Sequence, residues 1–359
     1  QGPGSDKVNA DFKFYLNSFP NYPNQSNYTY PNKNIALFGE NIFYFNDKIS
    51  ITPGFRFENI ETKSIGSYKQ INLDAAGNVI YEKTFLENRT NNRTFILLGL
   101  GASFKLKNKI EIYSNISENY RSVTFADMSI INPAFLINPN IKDESGTTID
   151  LGFRGIFNDL ISFDLTTFNM FYNDRIGFIQ REFNDGSVKS ERGNIGNARI
   201  YGLESNIDID LNRLILNNDN SSLNYFINTA LIDSKYIKSK ENGVVGKKVE
   251  FVPNINLKTG IKYGFKNLII NVQYSYISRQ FTDSSNSIKG NISGIVGEIP
   301  KYSLTDISFS YLHKRIRLEY GINNLTNTFY FTRRATGYPG PGIIPSPPRN
   351  MYLTIQIKI

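Results

Sequence analysis

The sequence predicts an all-β protein: an antiparallel transmembrane β-barrel of about 13 to 14 strands. Three observations predict it. Apolar residues recur at every second position through most of the chain, with Gly, Asn and charged residues between them. No run shows an amphipathic helix, and none approaches the roughly 20 apolar residues of a membrane helix. The connections alternate between tight turns and long polar segments. A soluble sandwich has no reason to gather its long loops at one end, whereas an outer-membrane barrel has short periplasmic turns and long extracellular loops.

The elements follow in order. Residues 1–5, Gln1-Gly2-Pro3-Gly4-Ser5, read as the remnant of an expression tag and are left out of the fold. Residues 6–33 are polar and turn-rich, with Pro20, Pro23 and Pro31. They read as an extracellular loop or partial strand, the strand falling at Phe12 to Phe19. Residues 34–359 read as barrel. Asn34 to Phe45 is the first strand, and Asn46-Asp47-Lys48 turns into Ile49, Ile51, Phe55 and Phe57. A long polar segment is expected from there to about Asn92. Leu98 to Leu106 and Ile110 onward form the next pair, joined at Lys107-Asn108-Lys109, and a second long segment runs from about Ser122 to Gly146.

Ile149, Leu151 and Phe153 then alternate with Asp150, Gly152 and Arg154. Asn158-Asp159 turns into a strand from Ile161 towards Gln180. After Asn184-Asp185-Gly186 a strand returns through Tyr201, Leu203, Ile207 and Ile209. Asn217 to Ser222 is a turn, followed by Leu223 to Leu231. Ile255 to Tyr263, Ile270 to Tyr276, Ile307 to Tyr311 and Ile316 to Ile322 complete the meander, and Met351 to Ile359 closes it. Glu204, Asp208, Asp210, Lys258 and Lys262 lie in mid-strand on the polar face. They would be costly in a dry core but stay hydrated in a lumen. Tyr225, Tyr263, Tyr274, Phe309 and Tyr311 fall on the lipid-facing side or its girdle.

Composition supports this and excludes other classes. The chain has 27 Phe, 22 Tyr and no Trp, a bias that suits strands and interfacial belts. It has no Cys, so it holds no disulfide framework and no thiolate metal site. The formal charge is +8. Its basic residues are scattered rather than clustered, which excludes a nucleic-acid footprint. His313 is the only histidine and sits in a tight turn without a histidine partner, so no zinc site is expected. No nucleophile is paired with a base. Asp208 and Asp210 share a strand face and read as part of a hydrated charge lattice, so no enzyme is expected.

Three motifs carry a resemblance. They are Tyr320-Gly321-Ile322-Asn323-Asn324-Leu325-Thr326-Asn327 with Tyr330, Asn138-Pro139-Asn140-Ile141-Lys142-Asp143-Glu144 with Asp150-Leu151-Gly152, and Tyr201-Gly202-Leu203-Glu204. They sit along the chain in the order Asn138, Tyr201, Tyr320, and in that order they resemble the C-terminal part of the barrel of TonB-dependent outer-membrane receptors. Phe331-Thr332-Arg333-Arg334-Ala335-Thr336-Gly337-Tyr338-Pro339-Gly340 is similar to the ferric dicitrate receptor group. The chain departs from the family in ending on Ile359, where many such barrels end in an aromatic.

The resemblance implies a 22-stranded barrel in the bacterial outer membrane, with this chain supplying roughly strands 10 to 22 and the plug absent from it. It implies uptake of an iron(III) chelate, with ferric citrate as the first candidate, and no cofactor. The implied partners are TonB acting through the plug, the N-terminal part of the same receptor, and outer-membrane lipid and lipopolysaccharide. The runner-up is a complete small barrel acting as a passive channel or porin, which needs the strand near Phe12 to pair with the last one.

A ferric chelate is anionic, and guanidinium groups grip carboxylates bidentately. Candidates must stand in the lumen near the long loops. These are Arg333 and Arg334, Gln180 and Arg181, Arg279 and Gln280, and Arg121. The resemblance implies a glutamine contact close to Gln180. It also implies a contact near Tyr338, where the receptor group carries Asn.

Overall fold

A computed structural model describes residues 10–14, 26–73, 76–107, 109–124, 127, 135–182, 188–291, 294–335 and 342–358. Thirteen long strands lie among them. They are β1 (Asn32–Glu40), β2 (Ile49–Leu73), β3 (Val79–Lys107), β4 (Ile110–Arg121), β5 (Glu144–Phe157), β6 (Ile161–Glu182) and β7 (Val188–Asp210). They continue as β8 (Ser221–Lys238), β9 (Ile255–Phe265), β10 (Leu268–Ile277), β11 (Tyr302–His313), β12 (Ile316–Asn323) and β13 (Asn350–Ile357). Each pairs antiparallel with the next, from β1 through to β13. Short strands flank them. Ala10–Phe14 pairs with Ser26–Tyr30, which continues the line of β1 along β2.

Period 2 sorts the sheet into two faces. Cross-strand register keeps Ile149, Asn169, Tyr201 and Asp233 on one face, and Leu151, Thr167, Leu203, Leu231 and Ile255 on the same face. Tyr225, Tyr263, Tyr274, Phe309 and Tyr311 belong to this face as well. Leu151, Leu203, Leu231, Ile261 and Val272 are exposed on it, so this face presents a band of large apolar side chains, as a lipid-facing surface does.

The opposite face is polar. Arg154 donates to Glu111, and the Tyr113 hydroxyl donates to Asp164 at 2.8 Å. Asn119 donates to Thr148 at 2.8 Å. Glu204, Asp208, Lys258 and Lys262 are exposed on it, so their charges stay hydrated. The glycine of the Tyr201–Glu204 motif has a steric reason: a Cβ at Gly202 would come within 3.0 Å of the Phe168 ring.

The two ends of the sheet differ. At one end the strands turn tightly, at 45–48, 158–160, 266–267 and 314–315. Asparagine closes several of these turns: Asn46 accepts from the backbone N–H of Lys48 and Ile49 at 2.8 and 2.9 Å. The β7–β8 turn holds a π-helix, Asn212–Leu216, which the alternation did not reveal. At the other end lie the long connections 122–143, 239–254, 278–301 and 324–349.

One expectation is corrected. The polar stretch up to Asn92 is not a loop: β2 has 25 residues and β3 has 29, paired without a break from Ile49 to Asn72. A strand needs only about 9–11 residues to cross the apolar layer. The rest of this hairpin stands beyond it: one face is open to water, and the other buries polar side chains, Thr62 and Ser64 beside Arg93, so both faces are polar. Cross-strand pairs such as Lys69 with Glu82 (2.8 Å) support it.

β1 and β13 are the outermost long strands. Among the described residues neither pairs on its second side, and every residue of β13 is exposed.

Candidate ligand site at the loop end

The described residues of 239–254 and 278–301 fold inward over the polar face. Residues 239–254 run beside the upper part of β8: the Tyr236 N–H donates to the Lys247 carbonyl at 2.9 Å, and Gly246 N–H returns a bond to Tyr236 at 2.8 Å. Val244 and Val249 then pack with Ile195, Ala198, Ile200 and Tyr236 in a buried apolar cluster. The 278–301 segment is tied to the first by Phe251 N–H to Phe281 carbonyl at 2.9 Å. Asn286 also bonds the backbone of Lys248 on both sides. It reaches β6 through the Ser284 hydroxyl, which donates to the Phe178 carbonyl at 3.2 Å.

Two of the sequence motifs anchor this roof. Asp143 accepts from Arg93 Nε at 2.5 Å, from the Tyr120 hydroxyl, and from Val123 N–H at 2.7 Å. Glu144 accepts from Arg121 at 3.0 Å and from Ile176 N–H at 2.7 Å. Asn138 accepts from Asn140 N–H and donates to Glu191 at 2.8 Å. In the last motif Asn324 and Asn327 adopt positive φ, at 52° and 54°, which Asn tolerates. Asn324 exchanges hydrogen bonds with both the N–H and the carbonyl of Thr328, at 2.8 and 2.9 Å.

The candidate residues separate into engaged and open groups. Arg121 bridges Glu144 and Asp127, and Asp127 is fully buried and also meets Arg192. Arg181 grips Glu241 bidentately at 2.6 and 2.9 Å and reaches Glu191 at 3.0 Å. Those two carboxylates raise its pKa above the usual arginine value. Arg334 donates to the carbonyls of Gly294 at 2.9 Å and Glu298 at 2.8 Å, and lies over the Phe331 ring. Burial lowers its pKa. It therefore clips the Phe331–Ala335 and Gly342–Pro345 hairpin onto the 278–301 segment.

Arg279 is more open, 60% exposed and 3.8 Å from Glu298. Gln280 lies in a short strand opposite Ile299. Arg333 is exposed and makes no ion pair among the described residues. Gln180 pairs with Ser190 in the β6–β7 ladder. Tyr338 lies outside the described residues.

Sequence reasoning missed Arg175. A β-bulge between Tyr172 and Arg175, with Asp174 at φ 51°, breaks the alternation of β6. Arg175 lies over the Tyr172 ring, within the field of Glu250 and Glu144. Glu250 is 4% exposed and accepts from the buried Tyr236 hydroxyl at 2.7 Å. Asp283, also missed, is 2% exposed. Its Oδ1 accepts from Ser285 N–H and hydroxyl at 3.2 and 2.8 Å, while Oδ2 has no partner among the described residues. Burial raises its carboxyl pKa.

That shift fixes a pH dependence. With the folded pKa above the unfolded one, Asp283's contribution is fully present below the unfolded pKa. It is lost as pH rises through the folded pKa. Wild type should therefore gain protease resistance within 278–301 on going from pH 7 to pH 4, relative to Asp283→Asn at each pH. A ratio independent of pH would show that Asp283 does not titrate in that window.

The profile of the family described as TonB dependent receptor-like, beta-barrel matches residues 4–325. Solved structures share the fold. The ferric citrate transporter FecA in its unliganded form aligns at TM-score 0.69 and 21% identity, over 92% of this chain and 46% of that one. The ferric yersiniabactin receptor FyuA from Yersinia pestis aligns at TM-score 0.68 and 17% identity, over 92% and 46%. The ferric-catecholate receptor Fiu from E. coli K12 aligns at TM-score 0.70 and 13% identity, over 94% and 46%. The chain thus spans less than half the length of these structures. The two-faced antiparallel sheet agrees with the family match, and by that match this chain belongs to the TonB-dependent receptor β-barrel family.

Proposed function

We propose that residues 34–359 are the C-terminal part of the barrel of an outer-membrane receptor that takes up an iron(III) chelate by TonB-dependent transport. Further strands of the same receptor would continue the sheet from β1 and β13 towards a 22-stranded barrel. A plug belonging to that receptor would carry the TonB contact. The family match carries this reading, and the unpaired outer sides of β1 and β13 support it. The passive-channel alternative needs Ala10–Phe14 beside the last strand; that segment pairs with Ser26–Tyr30 instead.

The ligand reading rests on the guanidinium groups at the loop end. Arg121, Arg181 and Arg334 already hold carboxylates or carbonyls, so an incoming chelate would meet Arg279 and Arg333 first. Ferric citrate, with its anionic carboxylates, is the first ligand to test.

Calorimetric titration of the full receptor with ferric citrate should show binding. Arg279→Ala/Arg333→Ala should weaken it by about tenfold or more, the size of one lost charge-assisted hydrogen bond. Unchanged affinity would remove these two residues from the site. Absence of binding, with a different ferric chelate bound, would replace the ligand and keep the receptor.

A further inference from the structure

The two edges of the projecting β2–β3 hairpin are treated differently. The chain covers the β2 edge itself: β1 pairs along 54–62, and Ser26–Tyr30 pairs along 65–68. The β3 edge pairs with β4 only from Gly99 to Lys107. Just above that ladder, side chains take over. Leu98 N–H donates to the Glu118 carboxylate at 3.0 Å, Phe95 stacks on Tyr120, and Arg93 reaches Asp143. Over 79–90 no strand pairs with this edge among the described residues.

The direction of the backbone groups on this edge follows from two bonds. Lys105 N–H donates to the Lys48 carbonyl at 2.8 Å, on the β2 side, whereas Leu98 N–H points away from β2, to Glu118. Along a strand these groups alternate between the two edges. The register between Tyr81 and Phe104 has no break, so the alternation carries upward unchanged. Glu82, Thr84, Leu86, Asn88 and Thr90 therefore aim both N–H and C=O at the bare edge. Such a row is a template for a further strand.

The features that blunt an exposed edge are missing here. Residues 79–90 contain no Pro, and 81–90 contain no bulge. Leu86 is 88% exposed on the open face of the hairpin, diagonally across from Ile65, itself exposed. Most charges of the segment are already held. Glu82 takes Lys69 at 2.8 Å, Arg89 takes Glu87 at 2.5 Å, and Glu87 also accepts from the Tyr28 hydroxyl at 2.9 Å. Lys83 lies over the Phe85 ring and makes no ion pair among the described residues. It is the charge left for a partner.

We propose that this edge takes up an extended segment of a second protein at the cell surface, as an added strand beside 82–90. The segment carries an apolar side chain against Leu86 and a carboxylate against Lys83. Backbone pairing supplies the bulk of the attraction, and those two positions supply selectivity. The inference does not depend on which chelate the receptor carries.

The test is fluorescence anisotropy with the full receptor in lipid nanodiscs. The probe is a labelled synthetic peptide matching 82–90 in length, with Val opposite Thr84, Leu86 and Asn88 and Glu opposite Lys83. Saturable binding is expected. Thr84→Pro removes a donor that faces the bare edge and leaves the β2–β3 bonds intact, so it should weaken binding about tenfold or more. Thr84→Val, which keeps the N–H, should bind as wild type does. Placing Lys instead of Glu opposite Lys83 should weaken binding about threefold. Two peptides N-methylated on alternate amides, in opposite phases, give a reading that leaves the receptor unaltered: one phase should abolish binding and the other should not. Chelate affinity, measured on the same samples, should be equal in wild type and Thr84→Pro, which separates this proposal from the ligand reading. Absence of saturable binding would overturn the proposal, as would equal binding by Thr84→Pro or by both methylated peptides. So would hydrogen exchange showing the amides of Glu82, Thr84, Leu86, Asn88 and Thr90 already protected in the full receptor alone, because its own chain or a second copy would then fill the edge.

Discussion

Replacing Glu250 by Ala is expected to destabilise the loop-end roof by about 3 kcal/mol. The side chain is almost fully buried and accepts the hydroxyl proton of Tyr236, itself at 0% exposure. Its carboxylate also faces Arg175. Without it, a buried hydroxyl loses its acceptor and a largely buried guanidinium loses a counter-charge. Glu144, already shared between Arg121 and Ile176 N–H, remains as the nearby carboxylate. The backbone of β6 is shaped to admit Glu250: a Cβ at Gly177 would collide with its carboxylate and lie 3.0 Å from Ile195. Hydrogen exchange across 239–254 would check the prediction. Faster exchange in Glu250→Ala is expected, with partial recovery on adding Arg175→Met, which removes the orphaned charge. Exchange unchanged from wild type would mean that the roof does not depend on this contact.

Leu203→Arg should cost about 2–4 kcal/mol, the penalty of a cation near the bilayer midplane on a barrel's lipid face. Leu203 lies seven residues above Asp210 in β7, within the apolar stretch of the strand, flanked by Thr167 and Leu231 on the same face. Asn206→Arg, three residues away and on the opposite face, should change stability by less than about 1 kcal/mol, because its side chain stays in water. Urea unfolding in lipid vesicles measures both. Equal penalties would contradict the assignment of faces.

The fold was legible because period 2 survives wherever one face meets lipid. Ile149, Leu151 and Phe153 alternate with Asp150, Gly152 and Arg154, and the structure keeps each set on its own face. Alternation failed where the chain leaves the membrane. There one face of the β2–β3 hairpin meets water and the other buries polar groups against the 122–143 connection, so Glu61, Thr62, Lys63 and Ser64 carry no apolar signal and read as loop. It failed again at Arg175, where one bulge shifts the register of β6.

The site was less legible, for a different reason. An arginine at a strand top can be recognised from the sequence, but its partner comes from another loop. Arg181 meets Glu241, 60 residues away, and Arg334 meets carbonyls 36 and 40 residues away. Only the folded roof brings these groups together. Asp143 and Glu144 belonged to a visible motif, yet their work of tying 122–143 to β3, β4 and β6 is a property of the tertiary contacts.

The central claim is that this sheet separates lipid from a wet lumen. The chain has no cysteine, so single Cys substitutions along Leu223 to Leu231 of β8 can each carry a spin label without interference. Accessibility to oxygen, which partitions into lipid, and to a water-soluble nickel complex should then be measured in vesicles. The account predicts strict alternation: 223, 225, 227, 229 and 231 favour oxygen, and 224, 226, 228 and 230 favour nickel. Uniform accessibility along the strand, or the opposite phase, would contradict it.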